Sequence, residues 1–248
     1  MRYKAIIMDV DGTSVPNAAD AVPSIRVLDA IRKAQQKVHV CVCTSRPIFV
    51  AQNVIRALEI KDLCGINDAT QIYDAKKEKI IETFSLSQKA ANAVRAFFRK
   101  KKIRFMVNAA KIEKYDDGSD FPDDLCSLCV PEVPYEKAMK LKEELTHIPD
   151  IAVQTPPSYK KGNVWVSVTS ATATKLHSVQ EITKRIGVDP KDTIGIGDGY
   201  NDYPLLSACG LKIAMGNAVP ELKAIADFVA PSVEEDGVAV VIEKFIFS

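Results

Sequence analysis

Short apolar runs that each stop at a polar or glycine-bearing turn, separated by helical stretches, constrain this chain more than any other feature. The first, Tyr3-Lys4-Ala5-Ile6-Ile7-Met8, runs into Asp9-Val10-Asp11-Gly12-Thr13. Val38 to Cys43 ends at Thr44, Thr193 to Ile196 ends in Gly197-Asp198-Gly199-Tyr200-Asn201-Asp202, and Lys212 to Met215 ends at Gly216. Continuous rather than alternating hydrophobicity marks strands covered on both faces, which is the habit of a parallel sheet. Helical spacing of Ile25, Leu28 and Ile31 predicts a helix over Ser24 to Gln36. Others are expected over Pro47 to Leu58, opened by its proline, and from about Thr172 to Ile186, closed by Gly187 and Pro190. Further helices are expected over Pro220 to Ala226 and Val238 to Phe245. Strand and helix in alternation predict an α/β fold, a Rossmann-like doubly wound parallel sheet built from both ends of the chain.

The rhythm changes between roughly Glu82 and Thr169. A basic helix (Gln88 to Lys102), a strand (Ile103 to Asn108), an acidic loop, a helix near Tyr135 to Leu145 and two strands (Ile151 to Gln154, Val164 to Val168) predict an inserted α+β unit. The expected division is residues 1–82 and 170–248 for the core and 83–169 for the insert. A length of 248 residues accommodates both.

Charge narrows the function classes. With 33 Lys+Arg against 32 Asp+Glu, the net charge of +1 provides no global field for nucleic acid or anionic lipid, so any phosphate recognition is local. The four apolar residues before Asp9 are too few for a signal peptide or a membrane span, and a cytoplasmic location is expected. Cys41, Cys43, Cys64, Cys126, Cys129 and Cys209 read as reduced thiols. The Cys126-Ser-Leu-Cys129 spacing lacks the further ligands that a structural metal site needs.

Asp9 and Asp11 lie two residues apart where the first strand runs out, so alternation sends both carboxylates toward one side. In an open parallel sheet that side is the crevice beyond the carboxyl ends of the strands. Gly12 permits a sharp turn there and a close approach to an anion. Thr44 ends the second strand with a hydroxyl, Lys175 brings a fixed positive charge, and Asp198 and Asp202 bring two more carboxylates. So many carboxylates around a phosphate dianion demand a cation, and hard oxygen ligands select Mg²⁺.

Asp-Val-Asp-Gly-Thr, Thr44, Lys175 and Gly-Asp-Gly-Tyr-Asn-Asp, in that order, resemble the four motifs of the haloacid dehalogenase-like phosphatases. Met215-Gly216-Asn217-Ala218 and Glu235-Asp236-Gly237-Val238-Ala239 resemble the tail signature of the Cof-type branch, type IIB, whose cap domain lies between the second and third motifs. The resemblance implies a magnesium-dependent phosphatase acting on a small phosphorylated metabolite such as a sugar phosphate. Asp9 is then the nucleophile that forms an aspartyl-phosphate, and Asp11 the general acid and base. Asp9, the main-chain carbonyl of Asp11, and Asp198 hold the metal, with Asp202 as a ligand or just behind. Gly12, Thr44, Ser45, Lys175 and Asn201 surround the phosphate. A phosphosugar mutase of the phosphomannomutase kind is the alternative, and a regulator with lapsed catalysis a third reading. The implied protein is a monomer or homodimer with no nucleic-acid or membrane partner. Three positions depart from the pattern: Ser45 stands for the usual glycine, Leu176 for the glycine after the motif lysine, and Asn67-Asp68-Ala69 for the commoner Asn-Gly-Ala.

Within the insert, Asn108, Lys160, Lys161 and Trp165 are candidates for substrate contact, since a cap supplies the specificity that a shared core lacks. Arg46 is expected to pair with a carboxylate. His39, His147 and His177 show no metal spacing. Asp116-Asp117, Asp120 and Asp123-Asp124 lack the closing glutamate of a calcium loop, and Arg99-Lys100-Lys101-Lys102 complements a helix dipole.

Overall fold

A computed structural model describes residues 2–18, 20–109 and 112–248. The first half of the core runs β1 (Ala5–Met8), α1 (Ile25–Ala34), β2 (His39–Val42) and α2 (Ile48–Ala57). A small antiparallel sheet follows, β3 (Leu63–Ile66), β4 (Gln71–Asp74) and β5 (Lys79–Thr83). The middle of the chain forms α3 (Gln88–Lys100), β6 (Met106–Ala109), β7 (Ile112–Tyr115), β8 (Leu125–Pro134), α4 (Tyr135–Leu145), β9 (Ile151–Gln154) and β10 (Asn163–Ser170). The chain then returns through α5 (Lys175–Ile186), β11 (Thr193–Gly197), α6 (Tyr203–Ala208), β12 (Leu211–Ala214), α7 (Pro220–Ile225), β13 (Phe228–Val229) and α8 (Gly237–Ile246).

Both ends of the chain build one parallel sheet in the order β13-β12-β11-β1-β2. Every residue of β1 and β11 is buried, as strands covered on two faces require. Ser24 caps α1 by accepting from the Val27 amide, and Gly187 ends α5 at φ 70°, a left-handed turn that glycine takes without steric cost.

The middle segment makes its own sheet, β7-β6-β8-β10-β9, and its own apolar cluster, in which Val94, Phe98, Leu128, Leu141, Val166 and Val168 meet. Alternation explains its two-faced character. Val107, Leu128, Val166 and Val168 turn to α3 and α4, while their neighbours Asn108, Ser127, Cys129, Ser167 and Thr169 form a polar face.

Several elements differ from the sequence expectation. The sheet β3–β5 and the long strand β8 were not anticipated. The β3–β4 turn is made by Asn67, Asp68 and Ala69, all with positive φ, so no glycine or proline announces it. Strand β8 hides behind its two prolines and mixed Cys-Ser-Leu-Cys opening. The expected strand from Ile103 begins only at Met106, and the expected helix from Thr172 begins at Lys175. Pro47 stands just outside α2 as its N-cap rather than inside its first turn.

All six cysteines are free and buried. The acidic loop is tied down by ion pairs, Asp116 taking both Arg95 and Arg99, and Asp117 taking Lys114. Lys101 reaches Glu144. His39 bonds Asp62, and His177 bonds Thr174. Among the described residues, no helix is long and apolar enough to cross a membrane.

Candidate active site

The carboxyl ends of β1, β2 and β11 deliver the polar residues expected of them. Asp9 follows β1 directly, 5% exposed, its amide donating to the Ile196 carbonyl of β11. Lys175, the first residue of α5, is 1% exposed and donates from Nζ to Asp9 Oδ1 and Asp202 Oδ1, each at 2.5 Å. Burying an ammonium is costly unless its partners are fixed, and here both are. The second oxygen of Asp202 accepts from the amides of Asp198 (3.0 Å) and Gly199 (2.9 Å), which sets the turn after β11.

Oxygen atoms of Asp9, Asp198 and Asp202 lie within 4.8 Å of one another, the one acidic cluster of metal-binding geometry among the described residues. Burial first, then the charge of Asp202, pushes the Asp9 carboxyl up to about 7 against the opposing pull of Lys175. Asp198 is likewise raised by burial and by Asp202 and Asp9. Burial works against the charge of Lys175, but Asp202 and Asp9 outweigh it and hold the ammonium above its ordinary range. One lysine therefore balances three carboxylates incompletely. A hard divalent cation fits the remainder: the donors are all oxygen, and Gly12 at φ 77° leaves room that any Cβ would fill by overlapping Asp198 Oδ2.

Asp11 shares the cavity with Asp9, yet its partners differ. Arg46 grips it with Nε on Oδ2 at 2.9 Å and Nη2 on Oδ1 at 2.5 Å, and also donates to the Ala18 carbonyl. The expected carboxylate partner of Arg46 is thus Asp11 itself. Thr44 is 1% exposed, and its Oγ1 accepts from the Arg46 amide at 3.1 Å. Asn201 donates to Ser45 Oγ at 3.4 Å, while its own Oδ1 is buried without a partner.

A cavity of about 300 Å³ opens between this constellation and the polar face of the second sheet. Asp9, Asp11, Ser45, Arg46 and Asn201 line it from below; Asn108, Cys129, Tyr159 and Trp165 from above. Of the four insert candidates, Asn108 and Trp165 reach the cavity, whereas Lys160 and Lys161 are exposed and do not line it.

Five residues contribute in ways that escaped the sequence reading. Thr13 donates to Asp198 Oδ1 at 2.9 Å, and Asn217 donates to the Gly12 carbonyl at 2.8 Å, so both brace the turns around the carboxylate cluster. Asn217 and Thr13 each sat in a quoted motif, but neither had a visible partner in sequence. Asp68 and Glu113 also line the cavity. Tyr135, opening α4, stacks on Tyr200 at 4.8 Å between ring centres, joining the second sheet's unit to the turn that carries Asp198.

Comparison with known proteins agrees with this fold. The chain is 26% identical over 290 residues, covering 98% of both chains, to the 5-amino-6-(5-phospho-D-ribitylamino)uracil phosphatase YwtE of Bacillus subtilis. BT1666 of Bacteroides thetaiotaomicron shares the fold at a TM-score of 0.84 and 18% identity, over 99% of this chain and 96% of that one. The HAD subclass IIB sugar phosphatase BT4131 does so at a TM-score of 0.80 and 22% identity, over 99% and 100%. The haloacid dehalogenase-like hydrolase family profile matches residues 6–124 and 109–242. An α/β core with its second sheet inserted, the ordered motifs and this match together make the chain a member of the haloacid dehalogenase-like hydrolase family.

Proposed function

We infer that the chain is a magnesium-dependent phosphatase that hydrolyses a small phosphorylated metabolite through an aspartyl-phosphate. One observation carries the reading: Lys175, opening α5, bridges Asp9 and Asp202 at 2.5 Å each while Asp198 closes a three-carboxylate cluster, Asp9 and Asp198 directly following the adjacent parallel strands β1 and β11. The naming of YwtE and BT4131 as phosphatases supports it.

Asp9 attacks phosphorus, and the leaving alkoxide takes a proton from Asp11, so one displacement becomes two easier ones. Water, deprotonated by Asp11, then attacks the same phosphorus, returning Asp9 and releasing inorganic phosphate. Asp11 must turn part-way from Arg46 to reach the leaving oxygen, and Arg46 holds it between turnovers. Thr44, Ser45, Gly12, Lys175 and Asn201 bind the phosphoryl oxygens, with Lys175 balancing charge as the group transfers. Asp9, Asp198 and the Asp11 carbonyl would hold Mg²⁺, which would supply neutralising charge when bound. Asp202, both oxygens engaged, keeps Lys175 and the Asp198 turn in place.

Residues 83–169 act as the cap over a core of 1–82 and 170–248. The enzyme works in the cytoplasm as a monomer or homodimer, without nucleic acid or membrane. A phosphate-release screen over sugar phosphates, phosphoglycolate, nucleotides and cofactor phosphates tests the assignment. Turnover that stops in chelator and returns with Mg²⁺, without an activating bisphosphate, is the expected result; metal-independent turnover would contradict the charge argument.

A further inference from the structure

The polar face of the cap sheet meets the β3–β4 turn of the core, and oxygen acceptors collect there. Asp68 is 5% exposed; its Oδ2 takes the Ser167 hydroxyl at 2.5 Å, and its Oδ1 has no partner among the described residues. Asn108 is 4% exposed; its Nδ2 donates to Asn67 at 2.7 Å, and its Oδ1 too has no partner among them. Glu113 stands directly opposite Asn108 in the β6–β7 pair, so the two side chains leave the sheet on one face. All three line the cavity. A buried acceptor left unpaired is costly, and the cost is recovered only when something in the cavity donates to it.

The rest of the lining fixes what that something is. Phe49, Pro157, Tyr159 and Trp165 give apolar walls suited to the carbon faces of a chain or ring. Among the described residues, Arg46 is the one Lys or Arg lining the cavity, and it is already committed to Asp11. Burial raises both the Asp68 and Glu113 carboxyls, and Glu113 adds to the shift of Asp68, so more negative charge there meets opposition. Asp68 also stands where the family pattern more commonly has glycine, at φ 56°.

We propose that Asp68, Asn108 and Glu113 select phosphate monoesters whose leaving group is a polyol, its hydroxyls donating to their oxygens, and reject leaving groups that carry a carboxylate or second phosphate. The selection rests on the phosphatase reading above and adds the substrate class to it. Acceptors paired by the right ligand and left unpaired, or repelled, by the wrong one give large discrimination.

Matched pairs test this: sorbitol 6-phosphate against 6-phosphogluconate, and glycerol 3-phosphate against 3-phosphoglycerate, each differing by a hydroxymethyl for a carboxylate. With Mg²⁺ present, kcat/KM favours the polyol member by about tenfold or more. Asp68→Gly, which fits the left-handed turn without strain, collapses that ratio chiefly through KM. Glu113→Gln, on a more open strand, lowers it part-way. Equal kcat/KM within each pair, or a ratio unmoved by Asp68→Gly in protein that melts normally, overturns the proposal. Calorimetric binding of the same pairs to Asp9→Asn separates the two readings. A wild-type protein that releases no phosphate but still binds the polyol ester preferentially defeats hydrolysis and keeps the selectivity. Hydrolysis of both esters alike does the reverse.

Discussion

The two large sheets of this protein solve opposite problems. In the core sheet the strands are parallel and its central pair β1 and β11 is buried on both faces, so no face is left there for a ligand and the polar groups gather where strands end, at Asp9, Thr44 and Asp198. In the cap sheet the strands are antiparallel and one face is polar, so the residues that line the cavity from this side sit mid-strand, at Asn108, Cys129 and Trp165. The difference teaches where each kind of change should register: damage at core strand ends falls on the chemical step, damage on the cap face falls on recognition.

Asp9→Asn is the sharpest way to break that division. It keeps the shape of the side chain, relieves carboxylate crowding beside Asp198 and Asp202, and removes the proposed nucleophile. Its kcat should drop by at least about a thousandfold while circular dichroism and the melting curve stay close to wild type. Near-normal turnover would remove Asp9 from its role. Trp165→Ala probes the opposite region. It strips an apolar wall from the cavity without touching Asp9 or Lys175, and it should raise KM by about tenfold with kcat little changed. A fall in kcat with KM constant would place part of the chemistry on the cap and blur the comparison.

The smallest effect concerns the link between the regions. Tyr135 of the cap stacks on Tyr200 beside Asp198, with rings 24° from parallel. A double-mutant cycle of Tyr135→Ala and Tyr200→Ala, read by thermal or denaturant unfolding, should give a coupling of about 1 kcal/mol. Strict additivity would mean the stack contributes nothing to holding the two units together.

The catalytic side of the fold was the more legible in sequence because its signals are local. A run such as Ala5 to Met8 is apolar throughout, and a motif such as Gly-Asp-Gly-Tyr-Asn-Asp is contiguous, so the residues that touch in space are also neighbours in the chain. The cap was read less well for the same reason inverted. Strand β8 carries small polar residues on one face and aliphatic ones on the other, and with Pro131 and Pro134 near its end it resembles a loop when no partner strand is in view. The turn at Asn67-Asp68-Ala69 holds three consecutive non-glycine residues at positive φ, a backbone that only the packed surroundings can impose.

By itself the sequence determined the alternating α/β order and the identity of the groups at the strand ends, because periodicity and contiguous motifs are short-range properties. Tertiary structure alone decided which groups share partners. Lys175 is divided between Asp9 and Asp202, residues 166 and 27 positions away, and Asp11 faces Arg46, 35 positions on. Asp68 meets Ser167 across 99 positions with one oxygen still unpaired. Such pairings arise only when packed sheets bring distant turns together and exclude water from between them, and that exclusion is what gives the charges their strength.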